Sequence, residues 1–201
     1  MDAPDLLTHA AARCGRIARV RLTVLPTADL GRDGLRALRA LLDAAFPADA
    51  DGSGGFDDAS FDHALGGVHV LAGPLHDPVG HAAVVGRRLL HDGVALRTGY
   101  VEAVAVRPGS QGGGLGGLLM AEVDRIVRGG YRLGALGAAA RAARLYRRHG
   151  WEPWSGPLAA LTPDGVVDTP DERGAVHVLP VDAPLDPARA LVCDWRDGEL
   201  W

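Results

Sequence analysis

The sequence contains no lysine: all 21 of its basic residues are arginine. A loop that cradles a nucleoside triphosphate needs Gly-Lys-Ser or Gly-Lys-Thr, so that class of nucleotide enzyme is excluded. Cysteine is scarce. Cys14 and Cys193 stand far apart, which argues against a disulfide framework and for a cytoplasmic protein with free thiols. Neither has a basic neighbourhood, so a covalent acyl-cysteine is not expected. No apolar run approaches the roughly 18 residues of a membrane span. The opening MDAPDLLTHAAARCGR lacks the apolar segment of a signal peptide. Serine occurs four times (Ser53, Ser60, Ser110, Ser155), never in a Gly-x-Ser-x-Gly elbow. His69 and His81 are expected to face each other across strands, but no acid or cysteine completes a metal site there.

Acids are plentiful but unevenly placed. Within a net charge of −4, the segment from Asp164 to Trp201 holds nine acids against three arginines, a net −6, which leaves about +2 for the rest. Such a surface suits a cationic ligand and makes nucleic acid a poor partner.

The 201 residues fit one domain, with residues 1–15 as a flexible N-terminal extension. Ile17 to Val24 alternates and predicts a strand, and Thr27 is placed to cap a helix reaching Phe46 with Leu35, Leu38, Leu42 and Ala45 on one stripe. Pro47 to Gly55 reads as a loop, and DDASFDHAL as a short helix. GVHVLAG and VGHAAVVGRRLL predict two strands, and a turn at Asp92-Gly93 leads into a third, VALRTGYVEAVAV. A helix from about Gly113 to Arg128, a strand YRLGALG and a helix AAARAARLYRRHG ending at Gly150 come next. PLAALT and AVHVLPV are late strands, and Asp186-Pro187 is expected to open a last helix. The order implies an α/β (α+β) chain with a mixed, mostly antiparallel sheet flanked by helices.

Six of the thirteen residues in RPGSQGGGLGGLL, Arg107 to Leu119, are glycine, between a strand and a helix. Backbone N–H groups there meet the positive end of the helix dipole and form an anion site in which side chains would only obstruct. Gly112, Gly114 and Gly117 satisfy a dinucleotide fingerprint, but that motif needs a ribose-binding acid about 20 residues on, and none lies between Arg125 and Gly150.

QGGGLG, Gln111 to Gly116, fits Q/R-x-x-G-x-G/A, and with the downstream ARAARLYRRHGW it resembles the acyl-CoA site of the GNAT N-acetyltransferase superfamily. LGGVHVL, GYVEAVAVRP, YRLGALG, TPDERG, VHVLP and above all the terminal CDWRDGELW are similar to the aminoglycoside 2′-N-acetyltransferases. The resemblance covers about Gly66 to Trp201. It implies a GNAT fold, acetyl-CoA as donor, no metal, an aminoglycoside as acceptor and a homodimer.

Roles are implied residue by residue. Glu102 matches the acid near the acceptor amine, and Tyr146 the tyrosine that protonates the leaving thiolate, since a phenol near 10 and a thiol near 8.5 are close enough to exchange a proton. Val104, Ala105 and Val106 match the strand that holds the pantetheine arm, and Ala142 a small residue that lets it pass. Gln111, Gly112, Gly113, Gly114, Leu115, Gly116 and Gly117 match the pyrophosphate loop. On the acceptor side stand Ala103, Gly137, Asp171, Glu172, Glu199 and Trp201 with its terminal carboxylate, and Asp49, with Asp51, Asp57 and Asp58 as alternatives to it. The asparagine of many superfamily members is absent at Ala139. Two other readings stay open: transfer to another polyamine, amino sugar or protein amine, and a non-catalytic acyl-CoA-binding protein.

Overall fold

The computed structural model describes residues 20–49 and 54–201. Cys14, Asp51, the expected extension at 1–15 and the start of the expected strand at 17–24 lie outside them. In chain order the elements are β1 (Leu22–Pro26), α1 (Gly31–Ala45), α2 (Asp58–His63), β2 (Val68–Ala72), β3 (Gly80–His91), β4 (Val94–Val106) and α3 (Leu115–Gly130). Then follow β5 (Leu133–Gly137), α4 (Ala143–Arg148), β6 (Glu152–Pro153), β7 (Leu158–Thr162), β8 (Gly165–Asp168), β9 (Val176–Pro180) and β10 (Leu191–Cys193).

The strands form one sheet in the order β6-β9-β5-β4-β3-β10-β7-β8, and β2 and β1 extend it from the first half of β3. Most pairs are antiparallel; β4–β5 and β10–β7 are parallel. Hairpin β3–β4 turns at Asp92 and Gly93, both at positive φ (48° and 77°), the two-residue geometry whose twist matches the strands.

Helix α3 fastens the glycine loop to the sheet. It buries Leu115, Leu119, Met120, Val123 and Val127 against Val70, Ala72, Ala82, Val84 and Leu136. Each such side chain contributes about 1.5–3 kcal/mol. A second cluster gathers Leu89, Leu96, Tyr100, Leu133, Trp154, Leu191 and Trp201, so the last residue of the sequence is core. Helix α1 packs Leu38 and Leu42 on Leu71 and Ala105.

Three local expectations are corrected. Thr27 does not cap α1: a 3-10 turn occupies Thr27–Asp29, the helix starts at Gly31 without a side-chain cap, and the Thr27 hydroxyl serves His69 and the Gly66 N–H instead. The helix expected over AAARAARLYRRHG is a 3-10 turn followed by only Ala143–Arg148. Asp186 opens a turn rather than a helix, its carboxylate accepting from the Ala188 N–H and its carbonyl from the Arg189 N–H. Strands β6, β8 and β10 were not expected; they are two to four residues long, too short for alternation to register.

Candidate active site

Strands β4 and β5 are paired only from Thr98–Leu133 to Tyr100–Ala135, although β4 continues to Val106. Beyond Tyr100 they separate, and a cavity of about 350 Å³ opens there. The same stretch of β4 carries a bulge. His81 is opposite Ala105 and Ala83 opposite Glu102, so Ala103 and Val104 together face the single residue Ala82. Ala103 sits at φ 51°, a left-handed conformation unusual for a residue with a Cβ. The bulge breaks the alternation of two, and Glu102, Ala103, Val104, Ala105 and Val106 all border the cavity. Gln111, Gly137, Ala139, Ala142, Tyr146 and Glu199 border it as well. The fold thus brings both expected catalytic residues, the β4 positions, Ala142 and one expected acid to a single cleft.

Glu102 is largely buried and ion-paired with Arg196, whose Nη1 donates to its Oε1. Burial dominates and pushes the Glu102 carboxyl above the usual carboxylate range, while the Arg196 guanidinium holds it down. Arg196 also donates from Nε to the Glu199 carbonyl and lies 5.3 Å from the centre of the Tyr100 ring. Arg87 is 4.6 Å from that ring and clamps the same C-terminal segment, donating to Asp194 at its carboxylate and carbonyl and to the Leu200 carbonyl. The Tyr100 hydroxyl is buried without a hydrogen-bond partner among the described residues. Arg196 and Arg87 escaped the sequence reading. The available signal was an arginine embedded between acids in CDWRDGELW.

Tyr146 is buried on α4, its hydroxyl makes no hydrogen bond among the described residues, and burial pushes it up to about 12. The glycine loop is open where the expected anion site requires it. Gly109, Gly112 and Gly114 have φ of 83°, 76° and 91°, and nothing stands within 4 Å of where their side chains would be. Gly114 precedes α3 with no side chain capping the helix, which leaves the first-turn N–H groups of Leu115, Gly116 and Gly117 without an intrahelical or capping partner. Gln111 lines the cavity and returns its amide to the Val106 carbonyl; Gly112 and Gly114 are exposed beyond it, Gly113, Gly116 and Gly117 are half-buried, and the Leu115 side chain is core.

The expected acceptor-side acids separate into two groups. Asp171 and Glu199 lie near Glu172 and, after burial, are the causes that raise its carboxyl, so these three acids form one negative cluster. Trp201 buries its ring and donates from Nε1 to Thr169, and a methyl group at Gly137 would meet its main-chain oxygen at 3.5 Å. The N-terminal acids are placed differently. Asp57 caps α2 through the Ser60 N–H, Asp58 is bound by Arg39, and Asp49 is not in the cavity wall. Among the described residues no group of three or more His, Cys, Asp or Glu is arranged to hold a metal.

Residues 67–153 match the family described as the acetyltransferase (GNAT) domain. The chain is 42% identical over 196 residues, 96% of each protein, to a Mycolicibacterium fortuitum protein named aminoglycoside 2′-N-acetyltransferase. In fold it is similar to a GNAT family N-acetyltransferase from Escherichia coli in complex with CoA (TM-score 0.58, 20% identity, 89% of this chain and 91% of that one). It is also similar to an acyl-CoA N-acyltransferase from Pseudomonas aeruginosa (TM-score 0.53, 16% identity, 79% and 98%).

Proposed function

From a chain that belongs to the aminoglycoside 2′-N-acetyltransferases, on the GNAT fold, we propose direct transfer of acetyl from acetyl-CoA to the 2′-amine of an aminoglycoside. The observation that carries this reading is the single cleft joining Glu102, Tyr146, the free edge of β4 and Glu199. The residues present fit acetyl-CoA. The open glycine loop offers N–H groups to a pyrophosphate, the unpaired edge of β4 offers backbone groups to an amide-containing arm, and Ala139 and Ala142 leave room beside it. When bound, acetyl-CoA supplies an activated thioester.

The acceptor amine arrives as an ammonium and must lose a proton. Glu102, ion-paired with Arg196, takes that proton in its carboxylate form, directly or through water. Asp171, Glu172 and Glu199 draw the remaining ammonium groups of a polycation to the rim. Tyr146 lines the same cleft and would stand on the side of the departing sulfur. Burial holds the phenol at about 12 and so keeps Tyr146 protonated, ready to give a hydrogen bond or its proton to the thiolate that leaves. Tyr146→Phe is expected to lower kcat about ten- to a hundredfold with the acetyl-CoA Michaelis constant within about threefold of wild type. Steady-state kinetics that show a changed Michaelis constant and an unchanged kcat would return Tyr146 to packing alone.

A single domain, working as a cytoplasmic homodimer, completes the reading. In support, Cys193 is a free buried thiol, and β8 ends the sheet with Val166 and Val167 exposed beside Leu161, an apolar edge that a second copy can cover. The deciding experiment is turnover of acetyl-CoA across an aminoglycoside panel. Drugs with a free 2′-amine should be acetylated there, and 2′-hydroxyl drugs should be spared. Equal turnover of both groups would overturn the regiochemistry.

A further inference from the structure

The bulge at the centre of the site has a support that the acetyl-transfer chemistry does not itself call on. Because Ala103 and Val104 share one partner residue, the strand ladder does not serve the Ala103 carbonyl in the ordinary way. That carbonyl is bound by a side chain from the neighbouring strand, His81 Nδ1 at 2.8 Å. His81 Nε2 is 2.9 Å from His69 Nδ1 on β2, and His69 Nε2 is 2.8 Å from the Thr27 hydroxyl. The Thr27 oxygen in turn receives the Gly66 N–H at 2.9 Å. Both imidazoles are fully buried.

The direction of every proton in this chain follows from its last link. A carbonyl only accepts, so His81 carries its proton on Nδ1. Nε2 of the neutral ring is then an acceptor, which makes His69 donate from Nδ1. His69 Nε2 accepts in turn from the Thr27 hydroxyl. Burial lowers His69 to about 4 and His81 to about 3, so both rings stay neutral and the chain keeps one polarity across the working range.

We propose that His81, held in one tautomer by His69 and Thr27, is a positioning residue for acetyl transfer: its Nδ1–H replaces the missing ladder bond and holds Ala103 in the bulge that turns Glu102, Ala103 and Val104 together onto the cleft. This rests on the reading of that cleft as the acetyl-transfer site. The left-handed Ala103 explains why a hydrogen bond is placed there. A non-glycine residue is uncommon in this region and persists only where its surroundings fix it. If the carbonyl were released, the strand would be free to regain its alternation, and Glu102 would leave its place beside the acceptor. Displacement of a reacting group by about 1 Å is enough to cost about a hundredfold in rate.

The test pairs two variants with one spectroscopic measurement. In His81→Asn the side-chain amide N–H overlays the imidazole Nδ1–H and can still reach the Ala103 carbonyl; in His81→Leu nothing can. His81→Leu should lower kcat per folded molecule about tenfold or more, leave the acetyl-CoA Michaelis constant within about threefold, and be largely rescued by His81→Asn. Imidazole 15N shifts of the wild-type protein should show both buried histidines neutral and protonated at Nδ1, whether or not the leucine variant folds. Unchanged kcat per folded molecule in His81→Leu, no rescue by His81→Asn, or a proton on Nε2 of His81 would each overturn the proposal. A wild-type enzyme that acetylates no aminoglycoside would instead overturn the functional reading. The same comparison would then be made on acceptor-independent hydrolysis of acetyl-CoA, with the same outcomes deciding it.

Discussion

Glu102→Gln is expected to lower kcat by about a hundredfold or more while acetyl-CoA binding stays near wild type, because a general base of this kind supplies about that much. The pH–rate profile separates this role from a structural one. Glu102 accepts a proton only as a carboxylate, so activity is lost as pH falls through its pKa. Burial has already moved that pKa up, and Arg196 opposes the shift. Removing the guanidinium in Arg196→Met leaves burial without its largest counterweight, so the acidic limb must move to higher pH. Arg87, His63, Tyr100 and Glu199 also surround Glu102 and remain in place in that variant. Breaking one side of a buried pair costs about 3–5 kcal/mol, so rates are compared per folded molecule. The double variant Glu102→Gln with Arg196→Met removes both partners and should regain much of the stability without the activity. An acidic limb that stays put in Arg196→Met, or a wild-type kcat in Glu102→Gln, would reduce the pair to a brace for the C-terminal segment.

Removing Glu199 to Trp201 should raise the aminoglycoside Michaelis constant about ten- to a hundredfold and that of acetyl-CoA far less. A terminal segment is ordinarily frayed and dispensable. Here the Trp201 ring is core, its Nε1–H binds Thr169, the Leu200 carbonyl binds Arg87 and the Glu199 carbonyl binds Arg196. That scaffold holds the Glu199 carboxylate in the cavity wall and beside Glu172. One charge-assisted contact to an ammonium is worth about 1.5–3 kcal/mol, which sets the range given. Glu199→Gln isolates the charge from the scaffold and should reproduce most of the effect. Rising salt should weaken the drug's binding to the intact enzyme and matter less to either variant. Equal Michaelis constants in the wild-type and Glu199→Gln enzymes, at low salt, would mean that this acid does not meet the acceptor.

The parts of the site legible in the sequence are those whose chemistry is local. A glycine run between a strand and a helix already states an anion site, and Asp92-Gly93 already states a hairpin. Glu102 stood out because a carboxylate in so apolar a strand requires a reason, and Tyr146 because its surroundings resemble a known element. The bulge was invisible because it is a relation between two strands, with Ala82 on one and Ala103 and Val104 on the other. Arg196 was hidden for the same reason: 94 residues separate it from Glu102, and only the folded C-terminal segment joins them. Thr27 misled because a good capping residue before an apolar periodicity also has a hydroxyl free for other work, and His69 claimed it. Asp57 and Asp58, two of the four acids left open at 49–58, have local partners that composition alone does not reveal. Their charge is as useful for capping α2 and pairing with Arg39 as for meeting a drug.

Arg196 has a chemical consequence that follows from its side-chain type. An enzyme that acylates amines must keep its own amines away from its donor. A lysine ammonium beside Glu102 would be a tethered rival acceptor, deprotonated by the very group that activates the substrate. A guanidinium brings the same positive charge and a planar set of hydrogen-bond donors, but it holds its protons at any working pH and its nitrogen lone pairs are delocalised. Arg196 and Arg87 can therefore fix the base and the acidic rim as cations that are inert to acyl transfer. With no lysine anywhere in the sequence, no side-chain amine of this protein can be modified in place of the drug.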